Sequence, residues 1–190
     1  MQLLMIVGSF RQGSFNRQLA EEAIKQLENQ AECSILDYST VPFFNQDTEF
    51  PTPAAVVDVR KQCEAADGIW FFTPEYNGEI PGGEKNLLDW LSRPTAPGLP
   101  RTATAVYGKP AAVSGIGGMN KTKGSRQTLD RLLPFMGMKL MKEPQTGLSI
   151  PPAAWKTSVL ELTEEQKAEI KAEGEAFLAF VRENLKDPQI

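Results

Sequence analysis

Short, continuous apolar runs alternate along the chain with apolar residues spaced as on one face of a helix. The runs at residues 3–7, 68–73 and 110–114 predict buried parallel strands. Two shorter runs predict further strands at 33–38 and 139–141. The stretches between the runs have the helical period and predict helices that bury one apolar face.

The sequence predicts five helices, of which the last has the clearest start. The last one opens at Thr163-Glu-Glu-Gln166, which is a capping box, and residues 43–53 lack any period and are predicted to be loop. The other helices are expected at residues 14–28, after residue 53, at 81–91 and at 124–135. The helix after residue 53 should have Val56, Val59, Cys63 and Ala66 on one face. The helix at 81–91 should carry Leu87, Leu88 and Leu91 inward. The last helix should bury Ile170, Phe177, Leu178, Val181 and Leu185.

Strands that alternate with helices form a parallel sheet with helices on both faces. Five such strands favour a flavodoxin-like three-layer sandwich with strand order 2-1-3-4-5. No repeat or change of composition divides residues 1–190, so we expect a single domain. In this fold the ligand crevice lies at the carboxyl ends of the strands, so function is expected in the loops after the first, third and fourth strands.

The charge of the chain excludes some partners. A formal net charge of −4 over 190 residues argues against a nucleic-acid partner, which usually requires a basic face. The apolar run at 3–7 is too short for a signal peptide, and no run is long enough to span a membrane. We therefore expect a cytoplasmic protein with no membrane partner.

The side chains offer little chemistry of their own. The chain has no histidine, and its two cysteines, Cys33 and Cys63, have no metal-ligand spacing, so no metal site and no Ser-His-Asp or Cys-His chemistry is expected. Neither cysteine is followed six residues later by the arginine of a cysteine phosphatase, since Ser39 and Ile69 stand there. The chemistry is therefore expected to belong to a bound cofactor.

The loop after the first strand suits a terminal phosphate. Hydroxyls of Ser9 and Ser14, the Asn16 amide and the Arg11 guanidinium precede a helix whose N-terminal N–H groups attract anions. The loop is neither a GxGxxG turn nor a nucleotide P-loop. The alternative is an ordinary polar turn in which Ser14 caps the helix.

The other two loops suit a planar ligand. Residues 73–78 contain Tyr76, whose ring can stack on a flavin, and a turn that can aim backbone groups into the crevice. Residues 113–118 carry three glycines, which allow a close backbone approach. The alternative for the first of these loops is a structural turn in which Tyr76 only fills space.

Two motifs in these loops resemble the NAD(P)H-dependent FMN reductases, a flavodoxin-like family that includes quinone, chromate and azo-dye reductases. The family's GSxRxxSxN pattern is present at residues 8–16, and its longer PEYNxxxPGxxKNxxDWxSR pattern is present at residues 74–93. The resemblance covers about residues 3–141. The sequence departs from the family at Glu79 and Glu84, which replace uncharged residues, and at residues 120–124.

The resemblance implies a set of cofactor-binding residues. The FMN phosphate would be held by Ser9, Arg11, Ser14, Phe15 and Asn16. The isoalloxazine ring and ribityl chain would be held by Pro74, Glu75, Tyr76, Asn77, Gly78, Ser114, Gly115, Gly117 and Gly118. The family also implies NADPH or NADH as electron donor, a small-molecule acceptor, and a homodimer or homotetramer.

Two classes of function fit these features. In the first, an enzyme passes hydride from NAD(P)H to flavin N5 and then electrons to a quinone, flavin, dye or metal oxyanion. In the second, a flavodoxin-type carrier or redox sensor exchanges electrons with a protein. Arg11 and the modest charge of −4 favour the enzyme, because carriers usually have a phosphate loop without arginine and a strongly acidic rim. A third possibility is a protein that has lost its flavin and serves a structural role.

Overall fold

A parallel sheet forms the centre of the molecule. The computed structural model describes residues 1–186. The strands are β1 (Gln2–Val7), β2 (Glu32–Ile35), β3 (Gly68–Phe72), β4 (Pro110–Gly117), β5 (Lys139–Leu140) and β6 (Gly147–Ser149). Their order is β2-β1-β3-β4-β5, every pairing is parallel, and β6 pairs with the end of β4. The predicted flavodoxin-like order is therefore confirmed.

Helices cover both faces of this sheet and give the predicted three layers. They are α1 (Phe15–Leu27), α2 (Ala54–Ala65), α3 (Gly82–Leu91), α4 (Lys123–Phe135), α5 (Ala154–Thr157) and α6 (Glu164–Lys186), with a short 3-10 turn at Gln46–Thr48. Strand side chains alternate between two cores, so that Ile6 packs with α2, α3 and α4, and Met5 packs with α1 and α6. No helix among residues 1–186 is long and apolar enough to cross a membrane.

The sheet differs from the predicted one by more than one residue at two strand ends. β2 stops at Ile35 instead of residue 38, because its register with β1 ends there and Tyr38 turns inward to donate a 2.8 Å hydrogen bond to the Val7 carbonyl. β4 continues past the predicted end at residue 114, because β6 pairs with it as far as Gly117. β6 itself was not predicted, since three residues carry no periodic pattern.

The last helix confirms one prediction and corrects another. Thr163 and Gln166 exchange the two hydrogen bonds of a capping box, at 3.0 and 3.2 Å. The expected inward residues are buried as far as Val181, whereas Leu185 is 51% exposed. Val181 packs against Gly68, the first residue of β3, so Leu185 lies one turn beyond the edge of the sheet. The last residues of the predicted domain, 187–190, lie outside the described part.

A buried carboxyl group ties α6 to the sheet. Glu173 Oε2 accepts hydrogen bonds from Ser114 Oγ at 2.7 Å and from the Thr146 N–H at 2.6 Å. Ser114 Oγ in turn accepts one from Trp70 Nε1 at 2.9 Å. Burial raises the pKa of Glu173 to about 7, although these hydrogen bonds oppose the shift.

This carboxyl group should make stability fall between mildly acidic and neutral pH. The pKa of Glu173 rises from 4.5 to about 7 on folding, so the native state holds the proton more tightly. Its contribution is complete below pH 4.5 and is lost as the pH rises to about 7. We expect the free energy of unfolding of the wild type, relative to Glu173→Gln, to fall by up to about 1.4 kcal/mol per pH unit in this window.

The measurement is urea unfolding of both proteins at several pH values between 4.5 and 8. Glutamine keeps an oxygen that can accept from Ser114 and Thr146 but does not titrate, which makes it the matched control. A difference between the two proteins that stays constant with pH would contradict a raised pKa at Glu173.

Candidate functional site

A pocket of about 260 Å³ opens at the carboxyl edge of the sheet. Three predicted loops meet there, because the ends of neighbouring parallel strands lie side by side. The pocket is lined by Ser9, Arg11, Ser14, Phe15, Asn16, Pro74, Glu75, Tyr76, Ile116, Gly117, Gly118, Ile150 and Trp155. The structure therefore brings together ten of the fourteen residues that the resemblance implied.

The start of α1 forms one end of this pocket and is suited to bind an anion. Ser14 is the N-cap and its Oγ accepts from the Arg17 N–H at 3.3 Å, while the Gln18 N–H bonds to the Ser14 carbonyl. Within the described residues, the N–H groups of Phe15 and Asn16 have no acceptor, as expected for a first helical turn. They add to the positive end of the helix dipole.

Arg11 supplies a positive charge beside this helix end. Its Cζ lies 4.7 Å from the centroid of the Phe15 ring, and Arg11 itself is exposed. Among the described residues its guanidinium makes no ion pair or hydrogen bond with the protein. The guanidinium is therefore available to a phosphate, which it can bind with two parallel hydrogen bonds.

The Asn16 side chain was expected to bind a phosphate, but it joins two elements of the fold. It is buried, its Nδ2 donates to the Ile116 carbonyl at 2.9 Å, and its Oδ1 accepts from the Ile116 N–H at 3.0 Å. The amide group is thus occupied in joining α1 to β4. What Asn16 can offer an anion is its backbone N–H.

The loop after β3 is a hairpin held against α4. Tyr76 and Glu79 exchange backbone hydrogen bonds at 3.0 and 3.1 Å, and the two residues between them, Asn77 and Gly78, have φ values of 55° and 83°. Two positive φ values suit a type I′ turn. Asn77 and Gly78 form the tip of this turn and do not line the pocket, whereas the exposed Tyr76 does.

Glu75 fixes this hairpin to the start of α4. Its carboxylate accepts hydrogen bonds from the N–H groups of Gly124 and Ser125, at 2.7 and 3.2 Å, and from Asn120 Nδ2. A carboxylate at a helix N-terminus satisfies free N–H groups and complements the dipole. Glu75 therefore holds the pocket wall in place, and the departure from the family at residues 120–124 supplies two of its three partners, Asn120 and Gly124.

The two other departures from the family lie outside the pocket lining. Glu79 accepts a 2.5 Å hydrogen bond from Thr128 Oγ1, which adds a tie to α4. Glu84 is fully buried, and its Oε2 accepts from Thr73 Oγ1 at 2.6 Å. Burial raises the pKa of Glu84 to about 8, although the hydrogen bond from Thr73 opposes the shift.

Ser114 and Gly115 lie inside β4 and not in the pocket. The Ser114 hydroxyl is used between Trp70 and Glu173, on the α6 side of the sheet. A Cβ on Gly115 would collide with Thr122 Oγ1 and the Thr73 carbonyl, so this glycine is required by packing. The pocket lining begins two residues later than predicted, at Ile116, which still belongs to β4. Gly118 faces open space, as a residue that approaches a ligand should.

Three residues of the lining were missed from the sequence. Ile116 stands between two predicted glycines, and Ile150 and Trp155 follow the unpredicted strand β6. The Pro151-Pro152 pair after Leu148-Ser-Ile150 was the signal that could have marked the end of that strand. Trp155 was also marked by its type, since an exposed tryptophan often belongs to a binding surface.

Neither cysteine supplies a nucleophile to the site. Burial raises the pKa of the Cys33 thiol to about 11 and that of Cys63 to about 12, so neither forms the reactive thiolate near neutral pH. Within residues 1–186 no three His, Cys, Asp or Glu side chains are grouped as a metal ion requires. The site can bind and orient a ligand that reacts, which is the role a protein has toward a redox cofactor.

The residues present fit FMN. Free N–H groups and an unpaired guanidinium at one end suit its phosphate, and the rest of the lining, Glu75 apart, is apolar or aromatic, as a flat ring requires. A volume of about 260 Å³ is somewhat below the usual pocket size of about 300–1,000 Å³. A pocket of this size would enclose FMN only in part.

Comparisons with known proteins agree with this geometry. The profile of the NADPH-dependent FMN reductase family matches residues 1–151. The chain is 32% identical over 183 residues to an NAD(P)H-dependent FMN reductase of Pseudomonas aeruginosa, with 95% of each chain covered. It is 35% identical over 151 residues to a quinone reductase of Escherichia coli K12, with 76% of each covered.

A solved structure extends the likeness to nearly the whole chain. The flavoenzyme NAD(P)H:(acceptor) oxidoreductase FerB of Paracoccus denitrificans superposes with a TM-score of 0.84 at 26% identity, over 96% of this chain and 98% of its own. The family, the fold, FMN as cofactor and NAD(P)H as donor are thereby confirmed. The chain belongs to the NADPH-dependent FMN reductase family, and it is an FMN-dependent NAD(P)H oxidoreductase.

Proposed function

We propose that the two ends of the pocket have separate tasks in this oxidoreductase. Ser9, Arg11, Ser14 and the N–H groups of Phe15 and Asn16 hold the FMN phosphate. The unpaired Arg11 guanidinium beside two free helix N–H groups is the observation that carries this assignment. Bound FMN supplies the redox chemistry, since it takes hydride from NAD(P)H and passes electrons to the acceptor.

The other end holds the flavin ring. Pro74, Tyr76 and Gly118 border it, while Asn77 and Gly78 act by shaping the hairpin. Tyr76 OH lies 3.3 Å from Ser9 Oγ, which connects the ring end to the phosphate loop. Glu75 orients this wall through its bonds to α4, and Ser114 and Gly115 act as support behind it.

We further propose a small-molecule acceptor. The relatives named quinone reductases favour a quinone, and a free flavin, an azo dye or chromate has the same requirement for an open flavin face. If one side of the pocket stays open, NAD(P)H and the acceptor must both reach the flavin through this same space. The electron-carrier alternative gains no support from these relatives, which are named as reductases.

We also propose a cytoplasmic homodimer or dimer of dimers built from one FMN-binding domain, residues 1–190. Large apolar side chains at the pocket border are exposed, with exposed fractions of 55% for Phe10, 51% for Tyr76 and 97% for Met119, and a second subunit could cover them. Light scattering should give a mass of at least twice 21.0 kDa at micromolar protein, and a mass of one chain would contradict the proposal.

Removal of the Arg11 side chain should weaken FMN binding selectively. We expect Arg11→Ala to cost about 1.5–3 kcal/mol, which is the range for hydrogen bonds to a charged group. Riboflavin has no phosphate and should bind both proteins alike. The measurement is titration of each flavin by its fluorescence, with Arg131→Ala, an exposed arginine outside the pocket, as the control. Equal losses for FMN and riboflavin would show that the loop does not bind phosphate.

The shared open space predicts the kinetic pattern. Since oxidised nicotinamide must leave before the acceptor enters, initial-rate plots at several acceptor concentrations should be parallel lines. Tyr76→Ala should change these rates more than FMN affinity, because Tyr76 borders the open side and the phosphate loop supplies most of the anchoring. Tyr107→Ala is the matched control, because Tyr107 is 52% exposed and lies outside the pocket. Intersecting lines would rule out the shared space.

A further inference from the structure

Trp155 borders the pocket from a part of the chain that lies beyond the family match. The profile of the family ends at residue 151, and Trp155 is on the short helix α5 that follows it. The indole is 64% exposed and is among the residues that line the pocket. An exposed tryptophan held beside a cofactor site needs a reason, because burial would otherwise be favourable.

The segment around Trp155 is fixed on both sides. Before it, the Ile150 N–H donates to the Gly117 carbonyl of β4 at 2.8 Å. After it, the Gln18 side chain of α1 donates to the Ser158 carbonyl at 3.0 Å and accepts from the Leu160 N–H at 2.7 Å. The neighbouring residue Ala154 is buried in the core. These ties hold the backbone on both sides of Trp155 in place without a ligand.

The indole is the outer member of a chain of contacts that runs from Trp155 through Phe15 to Arg11. Its ring meets the Phe15 ring edge-on, with 5.4 Å between centroids and 86° between planes. The Arg11 Cζ lies 4.7 Å from the centroid of the same Phe15 ring. The position of Phe15 is therefore set on one side by Trp155, and it in turn sets where the Arg11 guanidinium rests.

We propose that Trp155 is a positioning residue for the phosphate anchor, because it fixes Phe15 so that the Phe15 ring holds Arg11 ready for the phosphate of FMN. This inference rests on the proposed phosphate site. An arginine side chain loses considerable rotamer freedom when it binds, and a guanidinium that is already stacked loses less on binding. Trp155 thus acts on affinity through Arg11 and without touching the phosphate.

The first test compares two flavins. Trp155→Ala should weaken FMN binding about 3- to 10-fold, the size of one aromatic or cation–π contact, and should change riboflavin binding less than about 2-fold. Trp155→Phe should keep most of the affinity, since it retains a ring. Val159→Ala is the matched control, because Val159 is an exposed apolar residue of the same segment outside the pocket. Flavin fluorescence is the readout, because one variant removes a tryptophan.

The second test is a double-mutant cycle with Arg11→Ala. In that background Trp155→Ala should change FMN affinity less than about 2-fold, because the side chain that it positions is gone. Full additivity, or an equal loss for riboflavin, would overturn the proposal in favour of direct packing on the cofactor. If Trp155→Ala lowers the thermal midpoint severely, Phe15→Leu replaces it and should show the same selective loss of FMN.

The outcomes separate this inference from the proposed function. A wild-type protein that does not bind FMN would overturn both. A wild-type protein that binds FMN, loses that affinity in Arg11→Ala and keeps it in Trp155→Ala would overturn the role of Trp155 alone.

Discussion

The positive end of α1 at the carboxyl edge of the sheet is the interaction on which the rest of the site depends. A parallel sheet places the ends of β1, β3 and β4 side by side, and the turn from β1 into α1 directs free N–H groups into the crevice between them. Arg11, stacked on the Phe15 ring, adds a positive charge to this dipole. On a chain with a net charge of −4, such a local arrangement is what lets an acidic protein bind an anionic cofactor.

In the remainder of the site, side-chain hydrogen bonds hold three loops in fixed positions relative to that helix end. Asn16 connects α1 to β4, Glu75 connects the hairpin after β3 to α4, and Glu173 connects β4 to α6. Each tie uses a polar side chain that bonds to at least one backbone group. These polar side chains therefore serve to orient the loops of the site, as expected when the reactive group belongs to a cofactor.

The fold and the loops of the site could be predicted because they depend on local pattern. Apolar runs and helical spacing determine the layers, and loops at strand ends gather wherever the sheet places those ends. The errors in the predicted site residues have a common cause, which is contact between parts of the chain that are distant in sequence. Contacts with Trp70 and Glu173 occupy the Ser114 hydroxyl, pairing with β6 extends β4 to Gly117, and the packing of α5 on α1 brings Trp155 to the pocket. None of these contacts leaves a periodic trace in the sequence.

The central claim is that the FMN phosphate binds at the start of α1, and a crystal structure of the FMN complex tests it most directly. The account predicts phosphate oxygens within hydrogen-bond distance of the Phe15 and Asn16 N–H groups and of the Arg11 guanidinium. A second basic site exists on the same edge, at Lys121, Lys123 and Arg126 near the start of α4. A phosphate found on those residues, with the α1 N–H groups unoccupied, would contradict the account.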